Sequence, residues 1–165
     1  MSAKEITRTA ILAAILIVVY YFGSTLMYVS ITNFVLLLYG VYVPKKTAYF
    51  AVIIWCFVVI LMYGFGMWVI MYFILFPQYI LIYNSLYKRC KSEYVLAFVG
   101  AFLTFICGTL IDLPFIISSG LGGHALMVRL ILGFETDIGS TLCTFLGVLF
   151  LLKPLKRAFL SLNKE

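Results

Sequence analysis

The chain is 165 residues long, 65% hydrophobic and 11% charged, with a formal net charge of +6. Such a composition excludes a soluble domain, which would have too few charges to cover its surface, and predicts an all-α integral membrane protein. The basic residues cluster at the ends of apolar runs, a pattern that reports membrane topology rather than nucleic-acid binding. The length allows about six spans of roughly 20 residues with short connections, and no soluble domain beside them.

Lys4 and Arg8 precede the first apolar run as in a signal peptide, yet nothing secreted follows, so the run reads as a retained first helix. It is predicted from residue 9 to residue 22 or 28. Ala3, Thr7, Ala10 and Ala14 recur at spacings of four, three and four, so they share one helical face, and all four are small. In a membrane such a strip lets another helix backbone come close, and dispersion contacts hold the pair. Sequence physics leaves two occupants open: a neighbouring helix of the same bundle, which is the commoner use, or a separate protein.

A short second helix follows at 31–43, or from near 27, stopped by Pro44 with Lys45 and Lys46. The third covers 47–63, and the Gly64-Phe65-Gly66 turn leads to a fourth at 67–87 that Pro77 should kink. After Lys88, Arg89 and Lys91, a fifth helix runs 94–111 and ends at Asp112 and Pro114. Residues 115–133 are apolar but cut by Ser118-Ser119-Gly120 and Gly122-Gly123-His124, and the last helix starts near Asp137 and ends around Lys153.

Charge decides the ambiguous segment. Six spans with the N-terminus inside put Lys4, Arg8, Lys45, Lys46, Lys88, Arg89, Lys91, Lys153, Lys156, Arg157 and Lys164 on one side, and only Arg129 on the other. A seventh crossing at 115–132 would weaken that asymmetry. The expectation is therefore a single domain, 1–165, of six transmembrane helices with both termini cytoplasmic and an outer loop at about 112–136.

That outer connection gathers Asp112, Ser118, Ser119, His124, Arg129, Glu135 and Asp137, while Tyr20, Tyr21, Tyr28, Trp68 and Tyr72 lie at outer helix ends. Arg129 is the sole exterior basic residue. It reads equally as an ion pair stapling the loop to helix ends and as a ligand contact, since a charge at membrane depth costs about 2.5–3.5 kcal/mol and tends to mark a site. His124 is a second candidate, and Asp137 either contacts ligand or favours the N-terminus of the last helix. Aromatic residues are 18% of the chain, more than two interfacial belts require, so Trp68 and Tyr72 are candidates to stack on a flat ring. Asn33 and Gln78 are uncharged polar groups suited to orienting a ligand in an apolar pocket.

No catalytic grouping, phosphate loop, nucleotide motif or metal-ligand spacing stands out, so the reading is of a protein that is not an enzyme and carries no cofactor or metal. The cysteines (Cys56, Cys90, Cys107, Cys143) form no CxxC pair and suggest neither zinc nor a disulfide framework.

Ala10-Ile-Leu-Ala13-Ala14, the run at 36–43 with Pro44-Lys45-Lys46, and the ending Gly133-Phe134-Glu135-Thr136-Asp137-Ile138 with Lys153-Pro154-Leu155 together carry a family resemblance. The chain resembles the substrate-binding S components of energy-coupling-factor (ECF) transporters. The resemblance implies a bacterial plasma-membrane protein that captures a vitamin-like molecule outside and delivers it through a transmembrane coupling subunit and a pair of ATPases. Ala3, Thr7, Ala10 and Ala14 would then dock on the coupling subunit. The chain departs from the family where Phe134 and Asp137 split a Phe-Asp pair, and where Ser140 and Thr144 replace a histidine and an asparagine. Those departures leave the ligand open; the aromatic content suits a pyridoxine- or pyrimidine-like ring.

A second resemblance is to MreD-type cell-shape scaffold proteins, carried by Gly108-Thr-Leu-Ile-Asp112 and Gly122-Gly123-His124-Ala125-Leu126. It ranks second because the pattern falls late in this chain. An autonomous channel would need polar groups at mid-depth, and the first three helices offer almost none.

Overall fold

The computed structural model describes residues 2–25, 29–120 and 122–164, and these form six helices and no strand. They are α1 (Ala3–Thr25), α2 (Thr32–Tyr42), α3 (Lys45–Tyr63), α4 (Met67–Arg89), α5 (Glu93–Ser119) and α6 (Gly123–Lys164). Five are long and apolar enough to cross a membrane, and α2 is the shorter exception, as a multi-pass membrane protein would have it. Tyr28, expected among the outer aromatics, and position 27, the earlier start considered for the second helix, lie outside the described residues.

The helix ends follow from local chemistry. α2 stops where Val43 turns extended ahead of Pro44, and the Val43 N–H still donates to the Tyr39 carbonyl at 3.0 Å. α3 ends at Gly64, whose φ of +82° is the left-handed region that suits a residue without Cβ. Pro77 lies inside α4 and is buried there.

α2 is the centre of the bundle. Every residue from Thr32 to Val41 is buried, and the helix packs on α4 and α6 most and on α1, α3 and α5 as well. Ten of its eleven residues are covered by the other helices, so α2 presents almost no face to solvent or lipid. Its backbone approaches α4 at Gly40, where a methyl would meet Tyr83 Cβ at 2.6 Å and the Ile80 carbonyl at 3.2 Å. Asn84 Nδ2 donates to the Gly40 carbonyl at 3.1 Å, and Tyr39 Oη donates to the Leu12 carbonyl at 2.9 Å. These bonds satisfy polar groups that an apolar core would otherwise leave costly.

The expected outer loop at 112–136 is corrected. α5 continues through Pro114 to Ser119, and α6 begins at Gly123, so the break shrinks to the few residues between them. The Ser118 and Ser119 hydroxyls donate to their own helix, to the Phe115 carbonyl at 3.1 Å and the Ile116 carbonyl at 3.3 Å, and Thr136 does the same to Leu132 at 3.4 Å. At this break Gly120 (φ +61°) and Gly123 (φ +60°) take left-handed geometry. α5 and α6 thus form the most extensive helix pair in the molecule. Apolar side chains of its distal part, among them Phe115, Ile117, Met127 and Leu132, are exposed.

α1 settles which of its faces the bundle uses. Thr9, Leu12, Ala13 and Leu16 are buried, chiefly against α3, whereas Ala3, Thr7, Ala10 and Ala14 are all exposed. No neighbouring helix of the described chain covers the small-residue strip.

Candidate functional site

A cavity of about 320 Å³ opens at the end of the bundle away from Lys45, Lys46, Lys88 and Arg89. Two walls of different chemistry enclose it. The aromatic wall comes from α1 (Tyr20), α3 (Trp55) and α4 (Tyr72 and Phe76, one turn apart and so on one face). Its rings interlock. Trp55 and Tyr72 stack with centroids 5.6 Å apart and planes at 18°, and Phe76 meets Tyr72 edge-on at 4.7 Å. Tyr20 lies edge-on to Trp55 at 5.4 Å, and its hydroxyl is 3.4 Å from that of Tyr72. Such edge and offset contacts fix ring orientation beyond what burial alone achieves.

The polar wall comes from Ser30 ahead of α2, from the first turn of α2 (Thr32, Asn33), from α5 (Cys107, Gly108, Asp112) and from α6 (Thr136, Asp137, Ser140). The backbone N–H of Ser30 donates to Ser140 Oγ at 2.9 Å and ties the start of α2 to α6. Below the cavity, Thr104 and Thr144 hydroxyls bond at 3.2 Å and join α5 to α6.

Three buried polar atoms on this cavity have no hydrogen-bond partner: Asn33 Oδ1, Trp55 Nε1 and Asp137 Oδ2. Asn33 is 6% exposed and Asp137 7%. Buried polar groups are ordinarily paired, so unpartnered ones gathered on one cavity suit the binding of a polar ligand or water there. Gly108 makes room for the acid: a methyl there would overlap both carboxylate oxygens of Asp137.

Asp112 stands apart. It accepts a hydrogen bond from Arg129 Nη2 at 2.9 Å, with the two side chains about a third exposed, and the guanidinium sits 4.3 Å from the Phe115 ring centre. The ion pair joins α5 to α6 at the cavity's outer edge. A smaller neighbouring cavity of about 260 Å³ is lined by Tyr63 and Trp68 and shares Tyr20, Tyr72 and Asp112 with the first.

Of the residues expected from sequence to bind substrate, Asn33, Tyr72 and Asp137 come together on the first cavity, Trp68 lies in its annex, and Arg129 lines a separate, more open cavity of about 520 Å³ that shares Asp112 and Gly133 with the first. Arg129 is held by Asp112, as the ion-pair alternative anticipated. Gln78 is corrected: it faces outward on α4, because Phe76, Pro77, Tyr79 and Ile80 take the buried side of that turn. His124 is corrected as well, being exposed in the first turn of α6 and outside the cavity lining. Asp137 does not stand at a helix mouth but well inside α6. Sequence reasoning missed Trp55, hidden in an unbroken apolar run. Its signal was the buried stripe Ala48, Ala51, Val52, Trp55, Cys56 and Val59, at helical spacing.

Among the described residues, no three His, Cys, Asp or Glu side chains gather in a set that could hold a metal ion, and the four cysteines are free. No protein-family model matches the chain, and no curated protein and no solved structure matches it.

Proposed function

We propose that this chain is a membrane-embedded substrate-binding subunit of the ECF type, with six spans and both termini cytoplasmic in a bacterial plasma membrane. The observation that carries the reading is the cavity, in which an aromatic wall faces a polar one and Asn33 Oδ1, Trp55 Nε1 and Asp137 Oδ2 are unpartnered. It lies at the end of the bundle opposite Lys45, Lys46, Lys88 and Arg89, which is the outer end if the basic side is cytoplasmic. The exposed strip Ala3, Thr7, Ala10 and Ala14 lies near the other end of α1 and supports docking on a coupling subunit. In this reading the loaded protein docks through α1, and ATP used by partner ATPases drives the movement that delivers the ligand inside.

The test is mass spectrometry of small molecules released from gently purified protein. A vitamin-like heterocycle at near-equal molar ratio supports the reading. An empty protein that captures cell-shape proteins instead refutes it in favour of a scaffold.

A further inference from the structure

We infer, resting on the binding role proposed above, that the ligand is a flat nitrogen heterocycle carrying a positive charge with N–H donors, and that Asp137 is its charge partner. The charges around the cavity do not balance. Two acids line it, Asp112 and Asp137. Arg129 neutralises Asp112 through a 2.9 Å contact. No such cation meets Asp137, whose Oδ2 is buried and unpartnered, and the lining includes no Lys, Arg or His among the described residues. The formal charge of the pocket is thus that of one carboxylate.

One feature acts the other way. The N-terminus of α2 opens on the same space, and a helix N-terminus carries about half a positive charge. That partial charge offsets Asp137 only in part, and the Ser30 N–H beside it is already engaged by Ser140. The sum stays negative.

The backbone of Gly108 and Thr109 lies within hydrogen-bond reach of the Asp137 carboxylate but brings no full charge, and a carboxylate held out of water without a cation is costly; a bound cation or N–H donor lowers that cost. The opposite wall selects in the same direction. Aromatic faces attract cations through their quadrupole, most strongly where water is excluded, and they suit a flat ring by shape. An anionic ligand would meet an unpaired carboxylate and a π-rich wall with no basic side chain to receive it. Asn33 can then fix orientation, and Trp55 Nε1 can donate to a ring nitrogen acceptor, so a ring with both acceptor and donor edges uses all three unpartnered groups.

The full chain, purified in lipid nanodiscs, tests this in two ways. Mass spectrometry identifies the compound it releases. The chain's two tryptophans, Trp55 and Trp68, report binding by fluorescence quenching. The probes are pyridoxamine and thiamine as cationic rings, with nicotinate and 4-pyridoxic acid as anionic ones. The inference expects the released compound, or the probe that quenches, to be a cationic N–H-bearing ring, and Asp137→Asn to weaken it at least tenfold while the bundle stays monodisperse. A released or quenching anion overturns the inference and leaves the binding role standing, and so does equal affinity in Asp137→Asn. The comparison of probes on the unaltered chain holds even if the variant misfolds. A protein that releases nothing and answers no probe overturns both.

Discussion

Gly108→Ala is the sharpest perturbation the cavity offers, because the added methyl would occupy the space now taken by the Asp137 carboxylate. α5 and α6 form the largest helix contact, so the backbones cannot part easily, and the carboxylate must rotate away. Overpacking of this kind costs about 1–3 kcal/mol of stability, offset by up to about 1 kcal/mol from replacing a helical glycine with alanine. The loss in binding is larger in consequence. A hydrogen bond to a charged group contributes about 1.5–3 kcal/mol. Its loss weakens the ligand between roughly tenfold and a hundredfold. The control is Gly100→Ala, also on α5, where the methyl would meet Leu37 Cδ1 at 2.6 Å and Thr144 Cγ2 at 3.4 Å, away from the cavity lining. Tryptophan quenching by the copurified ligand, with thermal melts of both variants in the same nanodiscs, separates the two effects. Equal affinity in Gly108→Ala and the unaltered chain, or an equal loss in Gly100→Ala, refutes the assignment of Asp137 as a ligand contact.

Other consequences are simpler to read. Ala10→Leu and Ala14→Leu alter exposed positions on α1, so uptake by the assembled transporter should fall to background while binding and melting temperature stay unchanged; a loss of binding would count against a docking role. Arg129→Gln leaves Asp112 unpaired and makes the cavity more negative, so affinity for a cationic ring should hold or rise a fewfold, and a tenfold fall would refute the charge balance. Gly40→Ala forces a methyl against the Ile80 carbonyl and Tyr83 Cβ, backbone and near-backbone atoms that cannot swing aside. It should destabilise the bundle by about 1–3 kcal/mol in a chemical-denaturation assay in detergent, and a neutral result would mean α2 and α4 sit farther apart.

The second, third and fourth helices were legible because their stops are chemically explicit, whereas the first, expected from residue 9, begins at Ala3. Pro44 halts one, a positive-φ Gly64 ends the next, and the expected bounds 31–43, 47–63 and 67–87 differ from the observed ones by a residue or two. The last two were not, because the same signals mean different things once the chain is apolar. Pro114, Ser118 and Ser119 read as a loop in water, yet here the hydroxyls bond carbonyls of their own helix and the proline is carried within α5. Part of the site was visible for a related reason. Asn33 and Asp137 are polar groups bordering apolar runs, and such groups are costly at membrane depth unless used. Gln78 fits that description equally well and faces outward, since periodicity alone did not say which side of α4 the bundle would bury. Trp55 carries no polar flag at all and was found only by packing.

The existence of the cavity follows from the length of α2. Eleven residues rise about 16 Å, roughly half of a bilayer's hydrocarbon core. The helix ends at Pro44, at the same end of the bundle as the start of α3 and the end of α4, so what it lacks is its other half. The five longer helices surround a column that α2 fills only partway, and the cavity lies over its N-terminal residues Thr32 and Asn33. The bulky side chains that could have filled that space are drawn back into contact with one another, as the Tyr20, Trp55, Tyr72 and Phe76 cluster is. Polar groups were placed on the remaining surface at a cost in stability, and Gly108 was left without the one carbon that would close over Asp137. A bundle selected only to pack would have lengthened α2 by two turns and buried leucines there. That this one did not is the strongest physical reason to look for what occupies the space.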